Sequence, residues 1–165
     1  MTAASDASPL IVVDTDVWLD LYLPNRAGRD DARRFVERAI ACGASLLYTV
    51  QTANDVFARV SINAKRWVRE GKGEIDENYA RAIKDLAWDC VASMRELGTA
   101  VGADDSDLWL AQKYRELHDD FENDLILAAC TRVSADYLVT NDAKLLRHAP
   151  VAALTPADVC VLLAP

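Results

Sequence analysis

The chain has little of what several large protein classes require. No run approaches the roughly 18 uninterrupted apolar residues of a membrane-spanning helix, which excludes a helical membrane protein. Residues Met1–Pro9 are small and polar, without the basic start and apolar centre of a signal peptide, so the expectation is a cytoplasmic protein with a frayed tail over residues 1–9. None of the four cysteines, Cys42, Cys90, Cys130 and Cys160, forms a CxxC pair for zinc, and buried reduced thiols are expected instead. The two histidines, His118 and His148, lack any recognisable triad context, so a serine or cysteine nucleophile finds no base, and both are expected at the surface. Internal repeats and low-complexity tracts are absent.

What remains is a globular composition. The chain has 165 residues, 52% of them apolar and 27% charged, enough for one domain with its own core, expected over residues 10–165. A net charge of −8 argues against indiscriminate, charge-driven nucleic-acid binding, although it permits a local basic groove. Bound cations would offset part of that negative charge.

Two apolar runs organise the reading. Leu10-Ile11-Val12-Val13 delivers Asp14 and Asp16, and Tyr137-Leu138-Val139 delivers Thr140-Asn141-Asp142. Between them, helices are expected over Val17–Leu23, Gly28–Cys42, Gln51–Glu70, Asp76–Leu97, Asp105–Leu117 and Phe121–Val133. The third and fourth of these form a helical hairpin punctuated by Gly71-Lys72-Gly73. Strands are expected at Ser45–Thr49, Thr99–Val101, Tyr137–Thr140 and weakly at Val151–Leu154, while Val159–Leu163 reads as either an edge strand or a helical turn. Strands alternating with helices specify an α/β fold with a mainly parallel sheet of four to five strands.

Parallel strands open their carboxyl ends onto one edge of the sheet, where such folds place their sites. Asp14 and Asp142 fit that edge. Asp55, soon after the Ser45–Thr49 strand, and Asp124, in the opening of the Phe121–Val133 helix, sit near helix starts that lie on the same edge. Each of Asp16, Asp55 and Asp124 alone also reads as an ordinary capping or first-turn acid. Asp14 differs, because an aspartate closing a strongly apolar strand is costly unless paired, hydrogen-bonded or bound to metal. Crowded carboxylates repel until a cation relieves them, which points to metal-assisted hydrolysis.

The segment Val12-Val13-Asp14-Thr15-Asp16-Val17 resembles the opening strand of PIN-domain ribonucleases, whose usual form carries asparagine at the position of Asp16. The segment from Asp120 to Ala129, through Glu122-Asn123-Asp124, is similar to that family's acid-bearing helix start, and Ala135 to Asp142 is similar to its last catalytic strand and turn. Thr155-Pro156-Ala157-Asp158 resembles the tail common in these domains. The resemblance implies a three-layer α/β/α PIN-like domain with a helical hairpin insertion. It implies Asp14, Asp124 and Asp142 as metal-holding acids that converge within bridging reach, and Asp55 as a central acid where glutamate is commoner. Glu122 takes the place of Asp124 if the register slips by two, and Asp16, Thr140 and Asn141 are supporting groups. The activity implied is Mg²⁺- or Mn²⁺-dependent cleavage of RNA, by the toxin half of a toxin–antitoxin pair, with a cognate antitoxin and a homodimer as partners.

Substrate grip needs cations. Lys65, Arg69 and Lys72 share one helical face with Arg59 and Arg66 beside it, and Arg132, Lys144 and Arg147 lie near the last acid motif. A solvated helix face is preferred to an RNA track for the first group. Trp18, Trp67, Trp88 and Trp109 occupy apolar helical positions and are expected in core or oligomer packing rather than base stacking. Two rival readings remain: a haloacid-dehalogenase-like phosphatase with Asp14 as nucleophile, because Asp14-Thr15-Asp16 also resembles that motif, and a non-catalytic PIN-like binding module.

Overall fold

Strand alternation sets the layering. In the computed structural model, which describes residues 8–163, β1 (Leu10–Val13) is buried along Ile11, Val12 and Val13. Successive side chains leave opposite faces of a strand, so β1 feeds two cores. Ile11 and Val13 pack with Trp18, Phe35, Tyr48, Val56 and Met94 on one face, whereas Val12 packs with Ile126, Leu127, Leu138 and Leu145 on the other. The first core is built on α1 (Thr15–Tyr22), α2 (Arg29–Ala41), α3 (Val50–Lys72) and α4 (Glu77–Leu97). The second takes α6 (Phe121–Arg132), against which α5 (Asp105–His118) packs, and α7 (Ala143–His148). The result is the expected three-layer α/β/α sandwich.

The sheet is parallel throughout, in the order β3-β2-β1-β4-β5, with β2 at Ser45–Thr49, β3 at Thr99–Val101, β4 at Tyr137–Val139 and β5 at Ala153–Leu154. From β1 the chain moves outward to β2 and β3 and then returns to β4 on the other side of β1. The order therefore reverses between β1 and β4, and a crevice opens at their carboxyl ends. Asp14 and Asp142 are the acids delivered there.

The helical hairpin is present as α3 and α4, about 35 and 32 Å long at 1.5 Å per residue. Gly73 ends α3 at φ 87°, a left-handed conformation that suits glycine. Phe57 and Trp88 meet edge-on at 5.3 Å to join the two arms. The last ambiguous segment is a helix, α8 (Pro156–Leu162), because Thr155 accepts from the Asp158 amide at 3.1 Å and Pro156 stands at the first helical position. Helix α7 was not anticipated, since six residues are too few to show a 3.6-residue period.

Several expectations are corrected. Of the tryptophans only Trp18 is in the core; Trp67, Trp88 and Trp109 are 75%, 57% and 56% exposed. Their exposure excludes the core half of the expectation, core or oligomer packing, for these three, although Trp88 keeps its contact with Phe57. Cys90 and Cys130 are buried, Cys42 is exposed and Cys160 half-buried. His148 is exposed, while the side chain of His118 and residues 1–7 of the expected tail lie outside what is described. Among the described residues no helix is long and apolar enough to cross a membrane.

Candidate active site

Asp14 sits where β1 ends and α1 begins. Its amide donates to the Val139 carbonyl at 3.0 Å, extending the β1–β4 pairing by one residue, and its carbonyl accepts from Val17 and Trp18 to start α1. Although it holds the N-cap position, its side chain makes no cap bond. The carboxylate instead accepts from the Thr140 hydroxyl at 2.6 Å. That hydroxyl in turn accepts from the Asp142 amide at 3.0 Å, so one fully buried threonine ties the two strand ends together.

Burial dominates the chemistry of Asp14. It is 4% exposed, and desolvation, followed by the nearby charges of Asp16 and Glu122, pushes its pKa up to about 6 against the lowering bond from Thr140. Glu122 is also raised, first by burial and then by Asp55, with Arg59 acting against both. Asp14, Asp16, Glu122 and Asp55 are thus electrostatic neighbours although they come from β1, α1, α6 and α3. Asp55 lies in the second turn of α3, beyond the helix-start position expected for it, and accepts from Gln51 at 3.0 Å.

Asp124 is buried in the first turn of α6, at 3% exposure. The side chain of Asp142 N-caps α7, its Oδ1 accepting from the Lys144 and Leu145 amides at 2.8 and 2.9 Å. Asn141 does not join the acids; its amide donates to Asp20 at 2.8 Å. Sequence reasoning passed over Asp20, an acid set in the apolar run of α1 and 4% exposed. The available signal was its i, i+4 spacing from Asp16, which puts both acids on one helix face. Arg26 serves both, through its Nε to Asp20 and at 3.5 Å to Asp16. Gly28 permits this arrangement, because a Cβ there would fall on the Asp20 carboxylate.

The cations divide in an unexpected way. Arg59, expected beside an RNA track, turns to the acids and pairs with Asp16 at 3.7 Å and Glu122 at 3.6 Å. Arg132, expected as a phosphate contact, is engaged by Asp107 at 2.9 Å and by the Gly102 carbonyl, which ties α6 to the start of α5. Lys65, Arg66, Arg69 and Lys72 are exposed on α3, and Lys144 and Arg147 on α7.

A hard divalent cation fits this donor set in chemistry. Asp14 is a buried carboxylate surrounded by acids, and among the described residues no lysine or arginine pairs with it. The expected convergence of Asp14, Asp124 and Asp142 within bridging reach is not found: among the described residues no three His, Cys, Asp or Glu side chains stand together closely enough to hold a metal ion. Open spacing suits Mg²⁺, which keeps several waters and is commonly held by one or two carboxylates with substrate phosphate completing its shell. Cys130 does not compete as a ligand, since burial and Asp14 push its thiol up to about 12.

The family comparison covers this edge. A family model described as PIN domain matches residues 10–144, which include β1 through β4 and Asp14, Asp55, Asp124 and Asp142, and it ends before β5 and α8. No curated protein sequence matches the chain significantly. With a match running from the strand that delivers Asp14 to the turn that holds Asp142, the chain belongs to the PIN-domain family, a family of nuclease-type domains.

Proposed function

We propose that this protein is a metal-dependent endoribonuclease that hydrolyses RNA phosphodiesters with Mg²⁺ or Mn²⁺, and that it is the cytoplasmic toxin component of a type II toxin–antitoxin pair. The observation that carries the reading is Asp14, a buried carboxylate at the point where the strand order reverses, raised by burial and acidic neighbours. Asp14, Asp124 and Asp142 are assigned to hold the ion and Glu122 and Asp55 to the outer acid ring. When bound, the ion supplies a water of lowered pKa and stabilises charge on the phosphate.

The chain's own groups prepare that chemistry. Thr140 fixes one Asp14 oxygen, and the Thr15 amide also hydrogen-bonds this carboxylate. The α7 cap fixes Asp142 through Oδ1. Arg59 offsets the surplus charge of Asp16 and Glu122, so that approach of a phosphate meets less repulsion. No protein nucleophile is required. The phosphatase alternative needs Asp14 to attack in line, which its 4% exposure disfavours and the PIN-domain membership does not support.

A homodimer and an antitoxin complex are part of the same proposal. Trp67, Leu86, Trp88 and Val161 are large apolar side chains exposed to solvent, as expected of surfaces that partners cover. Light scattering of the purified chain reads the first, and co-purification with a co-expressed partner reads the second.

The test is incubation of the purified protein with a mixture of labelled single-stranded RNAs in Mg²⁺, Mn²⁺ or chelator, beside an Asp142→Asn variant. Metal-dependent cutting that disappears in the variant supports the assignment. No cutting by either protein in any metal moves the reading to a non-catalytic PIN-like module.

A further inference from the structure

We propose that the cavity between α5 and α6 is a nucleobase subsite, which holds an unpaired base of the RNA strand next to the phosphate under attack, with Phe121 as its stacking surface. The proposal rests on the nuclease reading for its substrate and extends it to how the strand is gripped. The cavity has a volume of about 600 Å³, within the range of small-molecule sites. Asp124 lines it, which links the cavity to the acid edge through one residue, and a strand crossing that edge would place a neighbouring nucleotide inside it.

The wall chemistry selects a base over a phosphate. Two of its side chains, Asp119 and Asp124, are acids, which repel an anion but accept hydrogen bonds from the N–H groups on a base edge. Phe121 and Leu108 supply apolar surface and are 66% and 52% exposed, so their faces are open to a flat ring. Gln112 adds an amide that both donates and accepts. Arg115 is paired with Asp119 at 3.1 Å, with both side chains about three-quarters exposed, and so weak a surface pair rearranges at small cost to bring its guanidinium to a base.

Phe121 also has the right linkage to the chemistry. It stands three residues before Asp124 in α6, one turn away on neighbouring positions of the same helix. A base stacked on Phe121 would position the strand relative to that carboxylate. Phe121 is therefore a positioning residue for the strand, not a group that reacts.

The test uses the full chain and a single-stranded RNA carrying 2-aminopurine, whose fluorescence is quenched on stacking, in chelator, where no metal-bound water is present to cut the strand. Wild type should quench it, Phe121→Ala should lose the quench with affinity weakened by about 5-fold to 150-fold, and Phe121→Trp should restore both. Thermal melting should be unchanged in both variants, because Phe121 is exposed. With cleavable strands, an abasic nucleotide at the affected position should lower wild-type kcat/KM and leave Phe121→Ala indifferent. Quenching that is absent from wild type, or equal in wild type and Phe121→Ala, overturns the subsite. Quenching by a wild-type protein that cuts no RNA keeps the subsite and overturns the nuclease reading alone.

Discussion

Two buried aspartates, one at each end of the question, behave in opposite ways. Asp107, at the start of α5, is 2% exposed and meets Arg132 at 2.9 Å while its other oxygen accepts from the Asp104 amide at 2.8 Å. Its charge is answered inside the chain, and it closes the α5–α6 hairpin. Asp14, equally buried, meets a neutral hydroxyl and a ring of acids, and Arg59, which faces those acids, goes to Asp16 and Glu122 instead. A buried charge with an internal partner is architecture, whereas one left for an outside partner is a binding group, and the difference is visible in what each carboxylate touches. Asp20, bonded to Arg26 and Asn141, falls with Asp107.

The largest expected effect separates the two by sign. Asp14→Asn keeps the bond from Thr140 but removes the charge, and should lower metal-dependent RNA cleavage by more than about 100-fold. It should also stabilise the ion-free protein. The folded pKa of Asp14, about 6, lies above its ordinary value of 3.8, so the folded state holds the proton more tightly and stability falls as pH rises between those values. At neutral pH the ionised carboxylate costs about 3 kcal/mol, a gain the variant recovers at pH 7 and not at pH 4. Mg²⁺ should raise the melting temperature of wild type and leave that of Asp14→Asn unmoved. Denaturant unfolding at both pH values, with and without Mg²⁺, checks all of this. A variant less stable than wild type at pH 7 would remove Asp14 from the class of binding groups.

Asp107→Asn should run the other way. It leaves Arg132 without its carboxylate and is expected to cost about 2–3 kcal/mol at neutral pH, with no dependence on Mg²⁺. Urea unfolding gives the value directly. Cleavage should persist at temperatures where the variant remains folded, since Asp107 does not face the acid edge.

What could be read in the chain and what could not follows the same division. Leu10–Val13 and Tyr137–Val139 are short, fully apolar and followed at once by acids, so local pattern alone placed both strands and the edge between them. Helices α2 through α6 have enough turns for their period to show. Contacts that span the chain left no local trace: Asn141 to Asp20 joins residues 121 apart, and nothing near Asn141 in sequence marks it as a partner of α1. Arg59 looked like one cation among several on α3 because its side of the helix becomes special only when α6 brings Glu122 across. The exposed Trp67, Trp88 and Trp109 could not be divided between core and oligomer packing for the converse reason, as an apolar stripe shows that a face exists but not what covers it. Asp14 was legible because its oddity, a charge at the end of an apolar strand, is local.

A smaller effect tests whether Asp142 belongs with Asp14 or with Asp107, since it both caps α7 and stands at the acid edge. Asp142→Ala should cost about 1 kcal/mol from the lost cap, and Asp142→Asn should keep the cap and cost little. If Asp142 is a binding group, both variants lose cleavage to the same degree despite their different stabilities. If it is only a cap, cleavage follows stability, and Asp142→Asn retains it.

The smallest effect concerns Arg59, whose pairs with Asp16 and Glu122 are at 3.7 and 3.6 Å between side chains roughly half exposed. Arg59→Ala should change stability by less than about 1 kcal/mol, because such pairs are screened by water and salt. Its consequence should appear in pH dependence instead. Arg59 lowers the pKa of Glu122, so without it Glu122 rises further, and the acidic limb of the cleavage profile should move to higher pH. Arg59→Lys should restore part of that shift, whereas a profile unmoved by Arg59→Ala would show that the outer acids do not report to the buried one. In that case the contrast with Asp107 would rest on Asp14 alone.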